Sequence, residues 1–255
     1  ALQRGTSYPA IRDLDMRQQV IPLPPLPEQH RIVEAIEAEF TRLDAGVAAL
    51  KRLRANFKRY KATVLKAAAE GKLVRQDPND EPAADLLKRI LRERRLKWES
   101  AQRVKGRDPQ KQKYEEPKAP DTEGLPELPE GWVWAAVGQL LSEAMINGKS
   151  VQSSDDGFPV LRLTALKNGS IDFEEFKLGK WEQEDASNYL IRQGDFLVAR
   201  GNGSLKLVGR GGLISVEPAP MAFPDTMIRL RFYEDSINPN YVSLVWNSPI
   251  LREQI

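Results

Sequence analysis

The sequence predicts an α+β protein in two parts, a long coiled-coil spacer helix with a second antiparallel helix, and a mixed α/β globule. Three observations predict it. Apolar residues early in the chain recur at a/d helical spacing, and a proline-rich strap stiffens the entry to that helix. After residue 125 the apolar residues fall instead into short runs cut by Gly, Asn and Asp, the pattern of strands and turns.

The strap reads Pro22-Leu-Pro-Pro-Leu-Pro27 and runs into Glu28-Gln-His-Arg31. Proline fixes φ and pushes the preceding residue toward β or polyproline II, so the strap is expected to be extended. Pro27 suits the first turn of a helix, where its missing N–H costs nothing, and Glu28 complements the positive helix end. A helix is therefore expected from about residue 28. Its seam is Val33, Ile36, Phe40, Leu43, Val47, Leu50, Phe57 and Val64, with Arg54 and Lys61 in two of the slots. Gly71 supplies the stop after Ala67-Ala68-Ala69. At ~1.5 Å per residue such a rod is about 60 Å long. The seam calls for a partner helix, in this chain or another; the alternative is an ordinary amphipathic helix packed on a globular core.

Gln76-Asp-Pro-Asn-Asp-Glu-Pro82 reads as turns, followed by a second helix over Ala83–Val104 with Leu86, Leu87, Ile90 and Leu91 on its apolar face. Pairing back onto the first helix is the simplest use of that face. Residues 105–125, rich in Pro, Lys and Glu, read as a linker. In the globule, 126–255, strands are expected around Phe158–Leu166, Asp195–Ala199, Gly212–Val216 and Thr226–Phe232, with a closing helix near Asn240–Asn247.

Charge is divided unevenly. Residues 126–255 carry 12 Lys/Arg against 17 Asp/Glu, a balance of −5, and residues 1–125 carry 26 against 19, or +7. Residues 51–75 hold nine basic side chains against Glu70 alone. A basic stripe on a rod suits a nucleic-acid backbone; a solvated helix face or an acidic protein partner suits it as well. No stretch approaches the ~18 apolar residues of a membrane span. The first residues lack the pattern of a signal peptide. Zero cysteines exclude disulfides and thiolate metal sites. A soluble cytoplasmic protein is expected.

Fragments that imitate active sites do not hold up. Gly148-Lys-Ser150 echoes a phosphate-binding loop, but the position of its first glycine is Glu143. Asn238-Pro-Asn-Tyr241 resembles the Asn-Pro-Pro-Tyr signature of amino-methyltransferases, yet Asn240 replaces the second proline and no glycine-rich cofactor motif precedes it. It reads as a helix-start turn. His30 is the only histidine, so neither a histidine-rich metal site nor a Ser-His-Asp triad can be assembled, and on the strap junction it is expected at the surface. Glu174-Glu175 and Asp155-Asp156 lie in polar stretches that suit solvated carboxylates. No catalytic residue, metal site or cofactor is expected.

The Pro-Leu-Pro-Pro-Leu-Pro-Glu-Gln-His-Arg-Ile-Val run, the helix end Lys66-Ala-Ala-Ala-Glu-Gly-Lys-Leu73, Leu128-Pro-Glu-Gly-Trp132, and Gly194-Asp-Phe-Leu-Val-Ala-Arg200 before a glycine-rich loop together resemble the specificity (S) subunit of type I restriction-modification systems. In that family two target recognition domains, each reading half of a split DNA site, are held apart by paired helices. The resemblance implies that residues 1–27, with Arg4-Gly-Thr-Ser-Tyr-Pro9, are the tail of a preceding recognition domain and a strap. Residues 28–104 would be the spacer, 105–125 a linker and 126–255 a C-terminally incomplete recognition domain. The chain departs from the full pattern in lacking most of a first domain and a second strap and helix, as expected of a piece of a longer subunit or a half-length form. Implied partners are double-stranded DNA, DNA methyltransferase (M) subunits, a restriction (R) subunit and, for a half-length form, a second copy through the coiled coil.

DNA reading needs donors, acceptors and cations on an element that reaches a groove. The leading candidates lie in Arg200-Gly-Asn-Gly-Ser-Leu-Lys-Leu-Val-Gly-Arg210: Arg200, Asn202, Ser204, Lys206 and Arg210. Within 192–210 there are four basic residues and one acid, Asp195. Lys149, Ser150, Gln152, Lys167 and Asn168, also in turn-like stretches, come second. The bland alternative is a flexible loop without function. The −5 balance of the globule predicts weak DNA binding alone, because non-specific affinity rests on phosphate neutralisation. The rival reading of the whole chain is a non-catalytic coiled-coil interaction module with no sequence-specific DNA binding.

Overall fold

The computed structural model describes residues 12–167, 169–201 and 203–255. The chain falls into two units, Ala1–Lys58 and Arg59–Ile255, divided inside its long helix. A short helix α1 (Asp13–Arg17) precedes the strap, and α2 (Leu26–Ala69) begins two residues earlier than the expected start. The Pro25 carbonyl accepts from the amides of Glu28 (2.8 Å) and Gln29 (3.0 Å), so Pro27 still sits in the first turn where no N–H is missed. His30 is exposed, as expected. The seam residues Val33, Ile36, Phe40, Leu43, Val47, Leu50 and Phe57 are 41–67% exposed, and Val64 is half-buried.

The end of α2 shows why Gly71 is required. Lys72 N–H bonds to Ala67 O at 2.8 Å and Gly71 N–H to Ala68 O at 3.2 Å, while Gly71 takes φ +67°, a Schellman closure. A Cβ at Gly71 would stand 2.4 Å from Pro129 Cγ. Two of the motifs, the Glu-Gly helix end and Leu128-Pro-Glu-Gly-Trp132, therefore touch. The second helix, α3 (Ala83–Val104), matches its expected bounds, and its first amide bonds to Gly131 O at 2.8 Å. Ile90 on its apolar face is buried, and the helix lies against α4 (Val137–Leu140), where Arg94 donates to the carbonyls of Gly138 and Leu141. Sequence reasoning assigned that face to the first helix; it had no signal for a four-residue helix 33 positions downstream. In the 105–125 stretch a 3₁₀ turn (Pro109–Lys111) and Tyr114, its ring tilted against Trp98 with centroids 5.1 Å apart, give local order.

The rest builds two sheets. In chain order come β1 (Ile146–Asn147), β2 (Ser153–Leu161), β3 (Leu166–Lys167), β4 (Ser170–Ile171), β5 (Phe176–Gly179), α5 (Gln183–Ala186), β6 (Phe196–Ala199), β7 (Gly211–Leu213), β8 (Met227–Leu230), α6 (Pro239–Trp246) and α7 (Pro249–Arg252). The main sheet has the order β1-β8-β6-β7-β4-β3, antiparallel except for β4 with β7; β2 and β5 form a separate antiparallel pair. Phe196-Leu-Val-Ala199 is wholly buried, as an uninterrupted apolar run demands of a central strand covered on both faces. Leu197 joins Leu161, Ile214, Phe223 and Met227 in one core, while Phe196 and Val198 join Leu213, Leu230 and Phe232 in another, beneath Val242 and Trp246 of α6.

Candidate nucleic-acid interface

Strand order decides which loops meet. Each neighbour of β6 runs antiparallel to it, so the C-terminal end of β6 lies beside the N-terminal ends of β7 and β8, with Val198 opposite Gly211 and Ala199 opposite Met227. β1 runs antiparallel to β8 and leaves the sheet at the same end, where Gly148 N–H bonds to Met227 O at 3.1 Å. β4 runs parallel to β7, so the β3–β4 turn faces the same way, with Leu213 N–H bonded to Gly169 O at 3.0 Å. One end of the sheet thus gathers Lys149 and Ser150 after β1, Arg200 after β6, and Ser204, Lys206 and Arg210 before β7, while the register Lys167↔Ser170↔Leu213↔Phe196 sets Lys167 level with the start of β6. All of these candidates, Lys167 included, are exposed. Candidates up to 61 positions apart in sequence, from Lys149 to Arg210, share this end. Gln152 is exposed on the approach to the β2–β5 pair, where its carbonyl accepts from Lys180 N–H at 2.8 Å. Asn168 and Asn202, and the Arg4–Pro9 segment, lie outside the described residues.

The Arg200–Arg210 loop is held from behind. Ser204 leads into a 3₁₀ turn (Leu205–Leu207) closed by Leu207 N–H to Ser204 O at 3.0 Å. Trp246 Nε1–H donates to Gly209 O at 2.8 Å, Arg252 Nη1 to Val208 O at 2.9 Å, and Arg252 Nη2 to Lys206 O at 3.4 Å. Asn247 receives Gly211 N–H (3.3 Å) and donates to Gly211 O (3.0 Å), while Ser243 Oγ–H reaches Gly169 O at 3.0 Å. Ser243, Trp246 and Asn247 stand three and four residues apart, on one face of α6 and its cap, so one helix fixes both turns. Glycine in β7 makes room: a Cβ at Gly211 would lie 2.3 Å from the Phe196 ring and 2.8 Å from Trp246. Sequence reasoning found the helix and missed these four side chains. Their only local signal was Trp-Asn at the helix end, and their targets lie 36 to 74 residues away.

The cations at this end are largely unmatched. No carboxylate pairs with Arg200, Lys206 or Arg210 among the described residues. Lys149 Nζ sits 5.7 Å from the Trp181 ring centroid. Lys167 meets Glu175 at 3.3 Å, and the Thr164 hydroxyl, donating at 2.6 Å, holds the Glu175 carboxyl below its ordinary range with help from Lys167. Glu175, expected to be merely solvated, is thus engaged. Asp225 is an exposed carboxylate on the turn before β8.

The opposite end is closed. Asp195, counted at first as an acid within a basic segment, is 1% exposed and grips Arg231 through Nε (2.6 Å) and Nη2 (3.2 Å). Its carboxylate also accepts Arg192 N–H at 3.0 Å. Arg231 Nη1 continues to Glu143 at 3.0 Å, and Arg192 reaches the same carboxylate at 3.8 Å. Burial pushes Glu143 up, but the Arg231 hydrogen bond and surrounding cations outweigh it and hold the carboxyl below its ordinary value. Among the described residues no cluster of three or more His, Asp or Glu could hold a metal ion, and no helix is long and apolar enough to cross a membrane.

The exposed cations and braced, glycine-bearing turns at this end of the sheet make up the candidate nucleic-acid interface. The chain is 30% identical over 254 residues to the type I restriction enzyme EcoEI specificity subunit of Escherichia coli, covering 96% of this chain and 41% of that one. It is 26% identical to the EcoKI specificity subunit of Escherichia coli strain K12 (99% and 45%) and 28% identical to the EcoAI specificity subunit (92% and 39%). The chain is HsdS-like, and it spans less than half the length of these relatives. No family model matches it. Two solved structures resemble it at 21% identity over 98% of this chain and 48% of theirs. One, with a TM-score of 0.49, is a chain from a study of complex assembly and conformational transition of the type I R-M system; the other, with a TM-score of 0.43, is the HsdS subunit from Thermoanaerobacter tengcongensis.

Proposed function

We propose that this chain is a non-catalytic DNA sequence-specificity subunit of a type I restriction-modification enzyme, or a part of one. Its globule reads one half of a bipartite DNA site, and its helices scaffold methyltransferase and restriction subunits. The observation that carries the reading is the convergence of Lys149, Arg200, Lys206 and Arg210 on glycine-bearing turns at one end of the main sheet. The exposed α2 seam, which an isolated helix could not leave uncovered cheaply, is filled by another helix, from the remainder of the subunit or from a second copy. The role goes with a cytoplasmic location.

The test is selection from a pool of random duplexes by the chain together with its modification subunit, followed by sequencing of the bound fraction. A short half-site or split site is expected to emerge. Absence of enrichment, with the chain binding protein alone, would contradict the proposal. The length of the rod sets half-site spacing in this reading, so inserting seven residues after Lys51 should change the spacing that the assembled enzyme recognises; an unchanged spacing would sink the ruler.

A further inference from the structure

The recognition loop carries one side chain that phosphate neutralisation does not use. Leu205 is 87% exposed, more than any other large apolar side chain recorded in residues 126–255. A lone exposed leucine is ordinary on a protein surface. This one stands at the head of the 3₁₀ turn and is not left to move freely, because the carbonyls of Lys206, Val208 and Gly209 just behind it are bonded to Arg252 and Trp246. Gly209 packs so closely that a Cβ there would be 2.4 Å from Ile255 Cγ2.

The glycines on the other side do the opposite. A Cβ at Gly201 or Gly203 would meet nothing within 4 Å, so neither is glycine for want of room inside the protein. Open space lies around both. Arg200, Lys206 and Arg210 are exposed on the same loop, and Leu205 is its exposed apolar side chain.

We propose that Leu205 is a specificity-determining contact that meets the apolar surface of a DNA base while its cationic neighbours hold phosphates. The inference rests on the DNA-recognition reading above and deepens it. Apolar side chains meet bases in two ways, against a thymine methyl in the major groove or as a wedge between base steps. Both present the same chemistry to leucine.

The test uses the full chain with its modification subunit in parallel duplex selections: wild type, Leu205→Ala and Lys206→Ala. Because Leu205 is exposed, Leu205→Ala should leave the unfolding midpoint in place. It should lose roughly tenfold in affinity for the duplex selected by wild type, the factor expected when about 1.4 kcal/mol of apolar contact disappears. Its affinity for unrelated duplex and its salt slope should not change. Lys206→Ala should weaken both duplexes alike and reduce the salt slope by about one. Uracil in place of each selected thymine, and 2-aminopurine at each base step, separate the two contacts: loss of the leucine effect in uracil duplex marks the methyl, and a fluorescence rise that needs Leu205 marks the wedge. If Leu205→Ala selects and binds the same duplexes as wild type, the inference is overturned and the proposed function stands. If wild type selects nothing, both fall together.

Discussion

The two ends of the main sheet carry similar cations put to opposite uses. At one end Arg231 and Arg192 are locked to Asp195 and Glu143, with Asp195 wholly buried. At the other, Arg200, Lys206 and Arg210 stand on a braced loop without carboxylate partners among the described residues. The difference teaches that net charge is a poor guide to what a domain can bind. A globule with a −5 balance still presents a cationic end, because its charges are unevenly distributed over its surface.

The largest effect belongs to the closed end. Arg231→Ala strands the buried Asp195 carboxylate and should lower stability by about 3–5 kcal/mol, read by urea unfolding. A loss under about 1 kcal/mol would mean that the pair is not closed in solution. A smaller effect belongs to the bracing of the open end. Trp246→Phe removes the donor to Gly209 O and should reduce stability by about 1 kcal/mol. It should also narrow the ratio of selected-site to unrelated-duplex affinity while leaving the salt slope alone. A narrowed salt slope would show that bracing acts on phosphate contacts instead.

The smallest concerns pH. Glu143 is held below its ordinary value in the folded chain, so its stabilising contribution is present above the unfolded glutamate pKa and is lost as pH falls through the lower folded value. Glu143→Gln should therefore show a shallower loss of stability on the acid side of that range than wild type, measured by thermal unfolding across a pH series. An identical acid limb would place the sensitivity elsewhere.

Much of the fold was legible in the residues themselves, and the reason is locality. The 3.6-residue periodicity fixed the bounds of α3 at Ala83–Val104, Gly71 marked the helix stop, and Phe196–Ala199 announced a buried strand. The candidate loop residues were also legible, from glycines interleaved with hydrogen-bonding side chains. What the sequence did not show depends on pairing at a distance. The meeting of Lys149, Arg200 and Arg210 follows from strand order, which no local window contains. The bond from Asp195 to Arg231 spans 36 residues and makes a core ion pair of the acid at the start of an expected strand. Ser243, Trp246, Asn247 and Arg252 act on carbonyls of other segments, and carbonyls carry no sequence signature.

The measurement that tests the account most directly is a salt titration of duplex binding by the assembled chain, comparing Arg200→Ala/Lys206→Ala/Arg210→Ala with Arg192→Ala at the closed end. The account predicts that the triple variant lowers the slope of log affinity against log salt by about three while Arg192→Ala leaves it unchanged. Equal slopes for wild type and triple variant, or an equal loss from Arg192→Ala, would contradict it.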